Sequence, residues 1–308
     1  MALRIGTGLF GWPFGDRGPE ALWEYVDAAE ALAIDSVWLT DRIVSNDLNL
    51  EPVTALSFIA ARTKKLKFGT SVLALPLRNP TVLAKELATL DWLSGGRCLP
   101  AIGLGTEDDR EYVACGVSKA ERAGRTDEAI EVMRRLWTED AVTHRGRYFT
   151  LEGISIQPKP AQKALPIWIG GRTEAAMRRL ARLGDGWLVS QATPAEVRHG
   201  IARVNAMATE YGRAVEQDHF GVLFTYCVAA SRDEARHIAE PHLRFRRTDV
   251  DPSETAIFGT PEDLVARIRE YVAAGATKFV ARAACPPERM AEQLRLLGEE
   301  VLPMFHKG

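Results

Sequence analysis

Short apolar runs typical of strands alternate with longer segments of helical periodicity from one end of the chain to the other. We count eight rounds of this alternation, which is typical of parallel strands joined by crossover helices. Eight such units close into a barrel more naturally than they spread into an open sheet, so the pattern predicts an α/β protein, a (β/α)8 TIM barrel. The predicted strands are residues 3–9, 36–39, 66–73, 97–103, 167–169, 186–190, 220–229 and 278–283.

The predicted helices follow these strands, and the third of them carries signals at both ends. Asn79 is a favourable capping residue, Pro80 suits the first helical position, and Gly95-Gly96 ends the helix. The predicted helices begin after Pro19, cover residues 51–63, 80–94, 119–138, 173–183 and 194–211, and begin again at Pro261 and Pro287.

Two segments interrupt the alternation, after the fourth and after the seventh predicted strand. Residues 144–166 are rich in proline, glycine and aromatic residues, and we expect an inserted loop or a small hairpin there. Residues 231–254 are strongly charged, and we expect a second insertion that acts as a mobile lid. The remaining residues fit one repeating architecture, so residues 1–308 are predicted to form a single barrel domain.

Composition and charge narrow the class of protein. The chain has 308 residues, of which 46% are hydrophobic and 26% charged, as in ordinary soluble globular proteins. Its formal net charge is -2 and its lysines and arginines are spread along the chain, which argues against a nucleic-acid partner. The first residues lack the apolar core of a signal peptide, and no stretch is long and apolar enough for a membrane span. The four cysteines form no CxxC pair, so we expect reduced thiols and a cytoplasmic location.

Catalytic groups of such barrels lie on the loops that leave the carboxyl ends of the strands, and two of these loops carry acids. Asp41 and Arg42 follow the second predicted strand, where an emerging acid could have a tuned pKa, although the two side chains could instead form a structural ion pair. The loop at residues 103–109 has spaced glycines that let a flat molecule approach the backbone, with Glu107 and Asp108 beside it. The alternative for this loop is a tight turn with solvated acids.

A third loop, after the fifth predicted strand, suits an anion. Gly170, Gly171 and Arg172 stand at the start of a predicted helix, where unpaired backbone N–H groups and the helix dipole favour a phosphate. The alternative is that Thr173 only caps the helix and that Arg172 is a surface charge. The six histidines show no metal-ligand spacing at the strand ends, and no GxSxG motif occurs, so we predict neither a metal site nor acyl-transfer chemistry.

The run GTSVLALPLRNPTVLAKELATLDWLSGGRCLPAIGLG, residues 69–105, closely resembles the core signature of the bacterial luciferase-like monooxygenase superfamily. The similarity continues in PIWIGG, in LARLGDGW and in the closing EEVLPMF, and it covers nearly the whole chain. The resemblance implies a TIM barrel that binds either FMN or the deazaflavin coenzyme F420. The segments GTSV, EYVACGVSKAERAGRTDE and PIWIGG resemble the deazaflavin branch more than the FMN branch.

The resemblance also implies roles for residues at the strand ends. It places Asp41 near the reactive face of the cofactor ring, and it places a non-prolyl cis peptide at Ser71-Val72, behind the ring. Many deazaflavin members have Asp-His where this chain has Asp41-Arg42, so proton handling would fall to Asp41 or Glu107, or the reaction needs little acid catalysis. The implied cofactor-binding residues are Asp41, Ser71, Val72, Ala74, Thr106, Asp108, Gly170, Gly171 and Arg172, and the candidate catalytic residues are Asp41, Arg42 and Glu107.

The activity implied by the resemblance is that of an oxidoreductase, expected to be a homodimer, that moves a hydride between coenzyme F420 and a small organic substrate. Trp12 and Phe14, in the loop after the first predicted strand, are expected to form walls of the substrate pocket, unless they are only exposed loop aromatics. An FMN-dependent two-component monooxygenase is the nearest alternative. A cofactor-free barrel lyase or hydrolase and a non-enzymatic relative are further alternatives, although Lys278 lies at the amino end of its strand, the wrong end for a lyase.

Overall fold

The computed structural model describes residues 3–243 and 247–306. Its strands are β1 Arg4–Leu9, β2 Ser36–Leu39, β3 Lys67–Thr70, β4 Leu73–Ala74, β5 Cys98–Leu99, β6 Ala101–Gly103, β7 Val142–Arg145, β8 Thr150–Ile154, β9 Trp168–Gly170, β10 Gly186–Ser190, β11 Phe220–Val228, β12 Ala256–Gly259 and β13 Lys278–Ala283. Its α-helices are α1 Glu20–Ala31, α2 Pro52–Arg62, α3 Pro80–Ser94, α4 Asp109–Ala114, α5 Arg122–Thr138, α6 Glu174–Leu183, α7 Pro194–Glu210, α8 Arg232–Ala239, α9 Pro252–Thr255, α10 Pro261–Ala273, α11 Met290–Leu296 and α12 Pro303–His306. None of the helices in these two ranges combines the length and the apolar character that crossing a membrane requires.

Parallel pairing joins eleven of these strands into one curled sheet. β1 pairs with β2 on one side and with β13 on the other, and β2 pairs with β3. From β13 the pairing continues through β11, β10, β9 and β6 to β4, and β12 lies beside β11. Helices separate most of the successive strands, so the predicted α/β class with a parallel sheet is confirmed.

Two predicted strands are each divided into two pieces. The third, predicted over residues 66–73, consists of β3 and β4, which are separated by Ser71-Val72. The fourth, predicted over residues 97–103, consists of β5 and β6, which are separated by Pro100, a residue with no backbone N–H to donate to a neighbouring strand. β3 pairs with β5 and β4 pairs with β6, so the pairing resumes beyond both interruptions.

The segments predicted as insertions contain regular structure. β7 and β8 form an antiparallel hairpin that starts slightly before residues 144–166, where the sequence predicts a loop or hairpin. The described part of residues 231–254 contains α8, a 3₁₀ turn and α9, whereas residues 244–246 of the predicted lid lie outside the described residues. The sequence did not predict α4 or β12, because both are too short to show a clear period of apolar residues.

Helix α3 begins and ends as the sequence predicts. The Asn79 side chain accepts hydrogen bonds from two backbone N–H groups of the first turn, where Pro80 has none to offer. Gly95 ends the helix in the left-handed region, with a φ of 69°. The helix packs against α2 and α5, and Arg78 lies just before its N-cap.

A cluster of buried apolar side chains from several strands fills the interior of the curled sheet. Its members are Trp38, Ala101, Trp168, Leu188, Leu223 and Val280. At the amino ends of the strands, Lys278 forms a 2.6 Å ion pair with Asp35. Packing and this ion pair close the amino end of the interior, so the carboxyl ends are left to form a site.

Candidate active site

A cavity of about 210 Å³ lies at the carboxyl ends of the parallel strands, and we call it the inner cavity. The predicted site residues that line it are Asp41, Arg42, Ser71, Val72, Thr106, Gly170 and Gly171. Its other lining residues are Phe10, Thr40, Gly105, Leu188, Ser190, Leu223 and Arg282. The fold thus brings together strand ends that are far apart in the sequence.

The inner cavity has a bulge between β3 and β4 on its wall. The Ser71-Val72 peptide bond is cis, as the family resemblance implies. Val72 packs between two glycines: a Cβ atom at Gly103 would lie 2.6 Å from Val72 Cγ2, and one at Gly170 would lie 2.7 Å from Val72 Cγ1. Both distances are far below van der Waals contact, so Val72 can occupy this place only because glycine stands at both positions.

Asp41 leaves the end of β2 and contacts the segment that follows the bulge. Its Oδ2 accepts a hydrogen bond from the Ala74 backbone N–H at 2.9 Å, and its Oδ1 accepts one from the Arg78 guanidinium at 2.9 Å. Arg78 also lies 3.0 Å from Glu51. Burial raises the pKa of Asp41, although the charge of Arg78 acts in the opposite direction. Asp41 therefore holds the bulge in place, and its ion-pair partner is Arg78 rather than Arg42, which corrects the pairing that the sequence left open.

Arg42 joins the loop after β2 to the start of α4. Its Nε lies 3.3 Å from Glu111 Oε1, and its Nη2 lies 3.6 Å from Asp108 Oδ2. The buried Glu111 carboxylate also accepts hydrogen bonds from the Ile43 backbone N–H at 2.9 Å and from the Thr106 hydroxyl at 2.8 Å. Arg42 and Thr106 both line the inner cavity, and Glu111 contacts both of them, so this carboxylate holds two lining side chains in position.

Glu107, a candidate for proton handling, lies on the surface. Its side chain is 78% exposed and pairs with Arg122 at 2.8 Å and with Lys119 at 3.1 Å. The hydrogen bond from Arg122 is the main cause that lowers the pKa of Glu107. The structure does not bring this carboxylate to the inner cavity, because these two cations hold it outside.

Asp108 has a local structural task. It caps α4 by accepting a hydrogen bond from the Arg110 backbone N–H at 3.0 Å. The hydrogen bond from the Arg110 side chain is the main cause that lowers the pKa of Asp108 to about 2. Asp108 does not line the inner cavity, but it contacts two residues that do: its side chain lies near Arg42, and its backbone N–H donates to the Thr106 hydroxyl at 3.2 Å.

The predicted phosphate loop contributes to two different cavities. Gly170 and Gly171 line the inner cavity, and the φ angle of +106° at Gly171 favours glycine there. Arg172 is exposed and lines another cavity, of about 350 Å³, against α7. Thr173 caps α6 by accepting a hydrogen bond from a backbone N–H of its first turn, so the capping interpretation of Thr173 is confirmed.

A larger cavity of about 630 Å³, which we call the outer cavity, shares Phe10 and Arg282 with the inner cavity. Trp12, one of the two aromatic residues expected in the substrate pocket, lines the outer cavity. Phe14 is buried instead, and its ring packs edge-on against that of Trp12 with the ring centres 5.1 Å apart. Phe14 therefore supports the wall that Trp12 forms.

Arg282 lies on both cavities and is absent from the predicted site residues. It is the second-last residue of β13 and is 8% exposed. Its Nη2 donates a hydrogen bond to the Thr225 hydroxyl at 2.8 Å, and its Cζ lies 5.5 Å from the centre of the Phe10 ring. Burial lowers the pKa of Arg282 to about 10, which leaves the side chain charged at neutral pH.

One group of potential metal ligands occurs among the residues that the structure describes. Glu216, Asp218 and His219 offer ligand atoms within 4.8 Å of one another. They lie just before β11, at the amino ends of the strands, and Asp218 is already paired with Arg4 at 2.9 Å. The group is therefore at the opposite end from both cavities, and the expectation that the site uses no metal stays a prediction.

Comparison with known proteins identifies the family. The luciferase-like monooxygenase family matches residues 7–254, which is most of the chain. The chain belongs to this family. The resemblance inferred from the sequence is confirmed, and the chain is an oxidoreductase by family.

Two relatives of this luciferase-like protein match along nearly their whole length. The 5,10-methylenetetrahydromethanopterin reductase of Archaeoglobus fulgidus is 26% identical, with 91% of this chain and 94% of that protein covered. The F420-dependent glucose-6-phosphate dehydrogenase of Amycolatopsis mediterranei is 28% identical, with 93% of this chain and 94% of that protein covered. Among solved structures, the oxygenating constituent of 3,6-diketocamphane monooxygenase from Pseudomonas putida, in complex with FMN, has a TM-score of 0.81 at 19% identity, with 98% of each chain covered. That last likeness shows the fold alone.

Three charged residues at the site of this luciferase-like protein were missed by the sequence predictions. Arg78 and Glu111 carry no local signal, because nothing near them in the sequence distinguishes them from exposed charges. Arg282 does carry one. Lys278, Val280 and Arg282 alternate along β13, so they share one face of the strand, and Val280 belongs to the cluster inside the sheet.

Proposed function

We propose that this chain is a deazaflavin-dependent oxidoreductase that moves a hydride between coenzyme F420 and a small organic substrate. The observation that carries the proposal is the Val72 bulge, which is locked between Gly103 and Gly170 on the wall of the inner cavity. The glycines that line the inner cavity, Gly105, Gly170 and Gly171, add no side chains to its wall. A wall of this kind lets a planar tricyclic ring lie against Val72.

Support for F420 over FMN comes from outside the inner cavity. Both cofactors have a tricyclic ring and a ribityl phosphate, but the deazaflavin also carries an acidic tail that favours a cationic exit. Three arginines near the start of α6 could form such an exit. Arg179 is buried against Asp127 and Arg178 pairs with Glu174, so Arg172, which lines a separate cavity, is the candidate among these three. An F420-dependent dehydrogenase is among the relatives that match over most of their length, while the FMN-bound structure is similar in fold only.

The residues of the inner cavity position the reaction. The deazaflavin supplies the hydride chemistry when bound, and the protein supplies orientation and shelter from water. Asp41 is a positioning residue, since both of its carboxylate oxygens accept hydrogen bonds and one of them holds Ala74 beside the bulge. Arg42 brings N–H donors to the wall of the cavity, and the carboxylates of Glu111 and Asp108 balance its charge and hold its guanidinium in place. Glu107 has no part in this proposal because it lies on the surface.

The finer architecture forms part of the same proposal. We propose one closed (β/α)8 barrel domain, with insertions after its fourth and seventh strands. The path of paired strands runs from β4 at one end to β5 at the other. Because β4 continues the third strand after β3, and β6 continues the fourth strand after β5, the pairs β3–β5 and β4–β6 bring the two ends of the path together, which supports closure. The β7 and β8 hairpin lies between β6 and β9, and α8 and α9 follow β11, which supports the two insertions.

A homodimer in the cytoplasm also stays a proposal. Several large apolar side chains on α2 and α3 are exposed, namely Phe58, Val82, Trp92 and Leu93. Exposed apolar surface of this kind is typical of protein interfaces, so it supports self-association.

Parallel titrations of the purified protein with F420 and with FMN test the cofactor assignment. We expect F420 to bind more tightly, with the change in cofactor fluorescence as the measure. Tighter binding of FMN, or FMN that co-purifies at high occupancy, would assign the chain to the FMN-dependent monooxygenases instead. Binding of neither cofactor would leave the cofactor-free lyase or hydrolase as the better interpretation.

Arg172→Ala tests the phosphate assignment. We expect F420 affinity to fall about tenfold to hundredfold, because a charge-assisted hydrogen bond contributes about 1.5 to 3 kcal/mol. The fold should persist, since Arg172 is exposed. Arg178→Ala removes the same charge from α6, the helix that follows Arg172, and is the matched control, with unchanged affinity expected. Equal affinity of the native and Arg172→Ala proteins would contradict the assignment.

A further inference from the structure

Arg282 is a buried cation on the wall that the inner and outer cavities share. In the parallel pairing of β11 with β13 it stands directly opposite Thr225, whose hydroxyl accepts its 2.8 Å hydrogen bond. The Phe10 ring covers the guanidinium, with Cζ 5.5 Å from the ring centre. Thr225 and Phe10 thus fix the guanidinium in place on the cavity wall.

The outer cavity becomes less polar from its rim toward Arg282. Among the residues that the structure describes, it is lined by the charged residues Asp16, Arg17 and Asp47, which are exposed, and by His242, which is half-buried. By contrast, Ala284 and Cys285, which closely follow Arg282 in the chain, are buried lining residues. Water screens the charges at the rim, whereas Arg282 is 8% exposed and the Phe10 ring covers its guanidinium, so its charge is screened less.

A guanidinium in such a place favours an oxyanion. Its planar array of N–H donors matches a carboxylate or a phosphate, and charge-assisted hydrogen bonds are stronger where water is excluded. A molecule that enters the outer cavity meets Arg282 where that cavity adjoins the inner one. An anionic group bound there would hold the rest of the molecule next to the inner cavity.

We propose that Arg282 binds an anionic oxygen group of the substrate, a carboxylate or a phosphate, and so orients the substrate between the two cavities. The inference rests on the proposed function only in assigning the outer cavity to the substrate. Arg282 acts as a binding residue, and Thr225 acts as a positioning residue that orients its guanidinium. The substrate class is therefore that of small organic acids or phosphate esters.

Binding of small aromatic probes to the native chain tests this site by isothermal titration calorimetry. We expect benzoate or phenyl phosphate to bind at least about tenfold more tightly than benzamide, the neutral analogue of benzoate. The tighter of the two anions indicates whether the substrate group is a carboxylate or a phosphate. Arg282→Met should abolish the preference, and Arg282→Lys should keep part of it because the charge remains. Equal binding of all three probes, or a preference that survives in Arg282→Met, would overturn the proposal.

Two control variants separate this site from other effects. Arg17→Met removes an exposed arginine at the rim of the same cavity and should keep the preference for anions. If circular dichroism shows that Arg282→Met does not fold, Thr225→Val decides, because loss of the orienting hydroxyl should reduce the preference. An unchanged preference in Thr225→Val would then overturn the proposal.

The cofactor titration on the same samples distinguishes the two proposals from each other. A chain that prefers the anions through Arg282 but does not bind F420 contradicts the proposed cofactor and supports the Arg282 site. A chain that binds F420 but shows no preference for the anions supports the cofactor and overturns the Arg282 site.

Discussion

The two ends of β13 place basic side chains on the same face of the strand, and the surroundings of the two differ. Lys278, at the amino end, is 1% exposed, and its Nζ lies 2.6 Å from Asp35 and 5.4 Å from the centre of the Trp38 ring. Arg282, at the carboxyl end, is 8% exposed, donates to the neutral Thr225 hydroxyl and lines two cavities. One cation thus contacts a carboxylate within packed protein, and the other lies on a wall that a ligand can reach.

This difference separates a structural charge from a functional one. Moving a charge out of water costs free energy, and a partner of opposite charge in contact with it offsets that cost. At the amino end the partner belongs to the chain, so the pair completes the packed interior. At the carboxyl end, in our proposal, the guanidinium also binds the substrate. The same alternation of side chains along one strand therefore stabilises the fold at one end and binds a ligand at the other.

Removal of Lys278 should have the largest effect. In Lys278→Met the Asp35 carboxylate loses its 2.6 Å partner, and we expect the free energy of unfolding to fall by about 3 kcal/mol. Lys67, 3.6 Å from Asp35, compensates only in part because its side chain is 40% exposed. Urea unfolding measures the loss, and the double variant that adds Asp35→Asn should recover part of it. A loss below about 1 kcal/mol in the single variant would mean that the pair does little for stability.

Acid should weaken the amino end. Burial opposes the charge of Asp35, but Lys278 and Lys67 outweigh it and lower the pKa of Asp35 from 3.8 to about 2. The lowered pKa of Asp35 contributes stability above pH 3.8, and burial, which lowers the pKa of Lys278 to about 8, offsets part of the pair's contribution at neutral pH. This contribution is lost as the pH falls from about 4 to about 2, because the unfolded chain binds the proton first in that range.

The variant Asp35→Asn isolates this effect from that of the other carboxylates. It has no proton to bind at this position, so its stability should fall less than that of the native protein over the same range of pH. Urea unfolding of both proteins at several pH values gives the two curves. Parallel curves would contradict a lowered pKa for Asp35.

The sequence predicted the fold where a local pattern is sufficient. The order of strands and helices and the two ends of α3 depend on nearby residues, and the structure confirms them. The division between β3 and β4 could not be predicted from the hydrophobic pattern. It depends on Asp41, in the loop after β2, and on Gly103 and Gly170, which leave room for Val72. Only the resemblance to a known family indicated that bulge.

The candidate site was predictable to a similar extent. The glycines and strand ends that line the inner cavity are visible in the sequence. Arg78 and Glu111 were missed because a charged side chain is buried only when partners from distant segments receive it, in these cases Asp41 and Arg42. Glu107 was predicted as a site residue from its place in the loop after the fourth strand, but Lys119 and Arg122 hold its side chain on the surface.

Replacement of Arg282 should have the smallest effect on stability. Burial disfavours its charge and lowers its pKa to about 10, so its removal relieves that cost while the hydrogen bond to Thr225 is lost. A methionine, which is unbranched but shorter, fills part of the space with apolar contacts. We therefore expect Arg282→Met to change the free energy of unfolding by less than about 1 kcal/mol, while the preference for anionic probes disappears. Urea unfolding at neutral pH measures the change, with Lys278→Met as the matched replacement at the other end of the strand. A loss as large as that of Lys278→Met would make Arg282 a structural charge, and the two ends of β13 would then no longer differ in role.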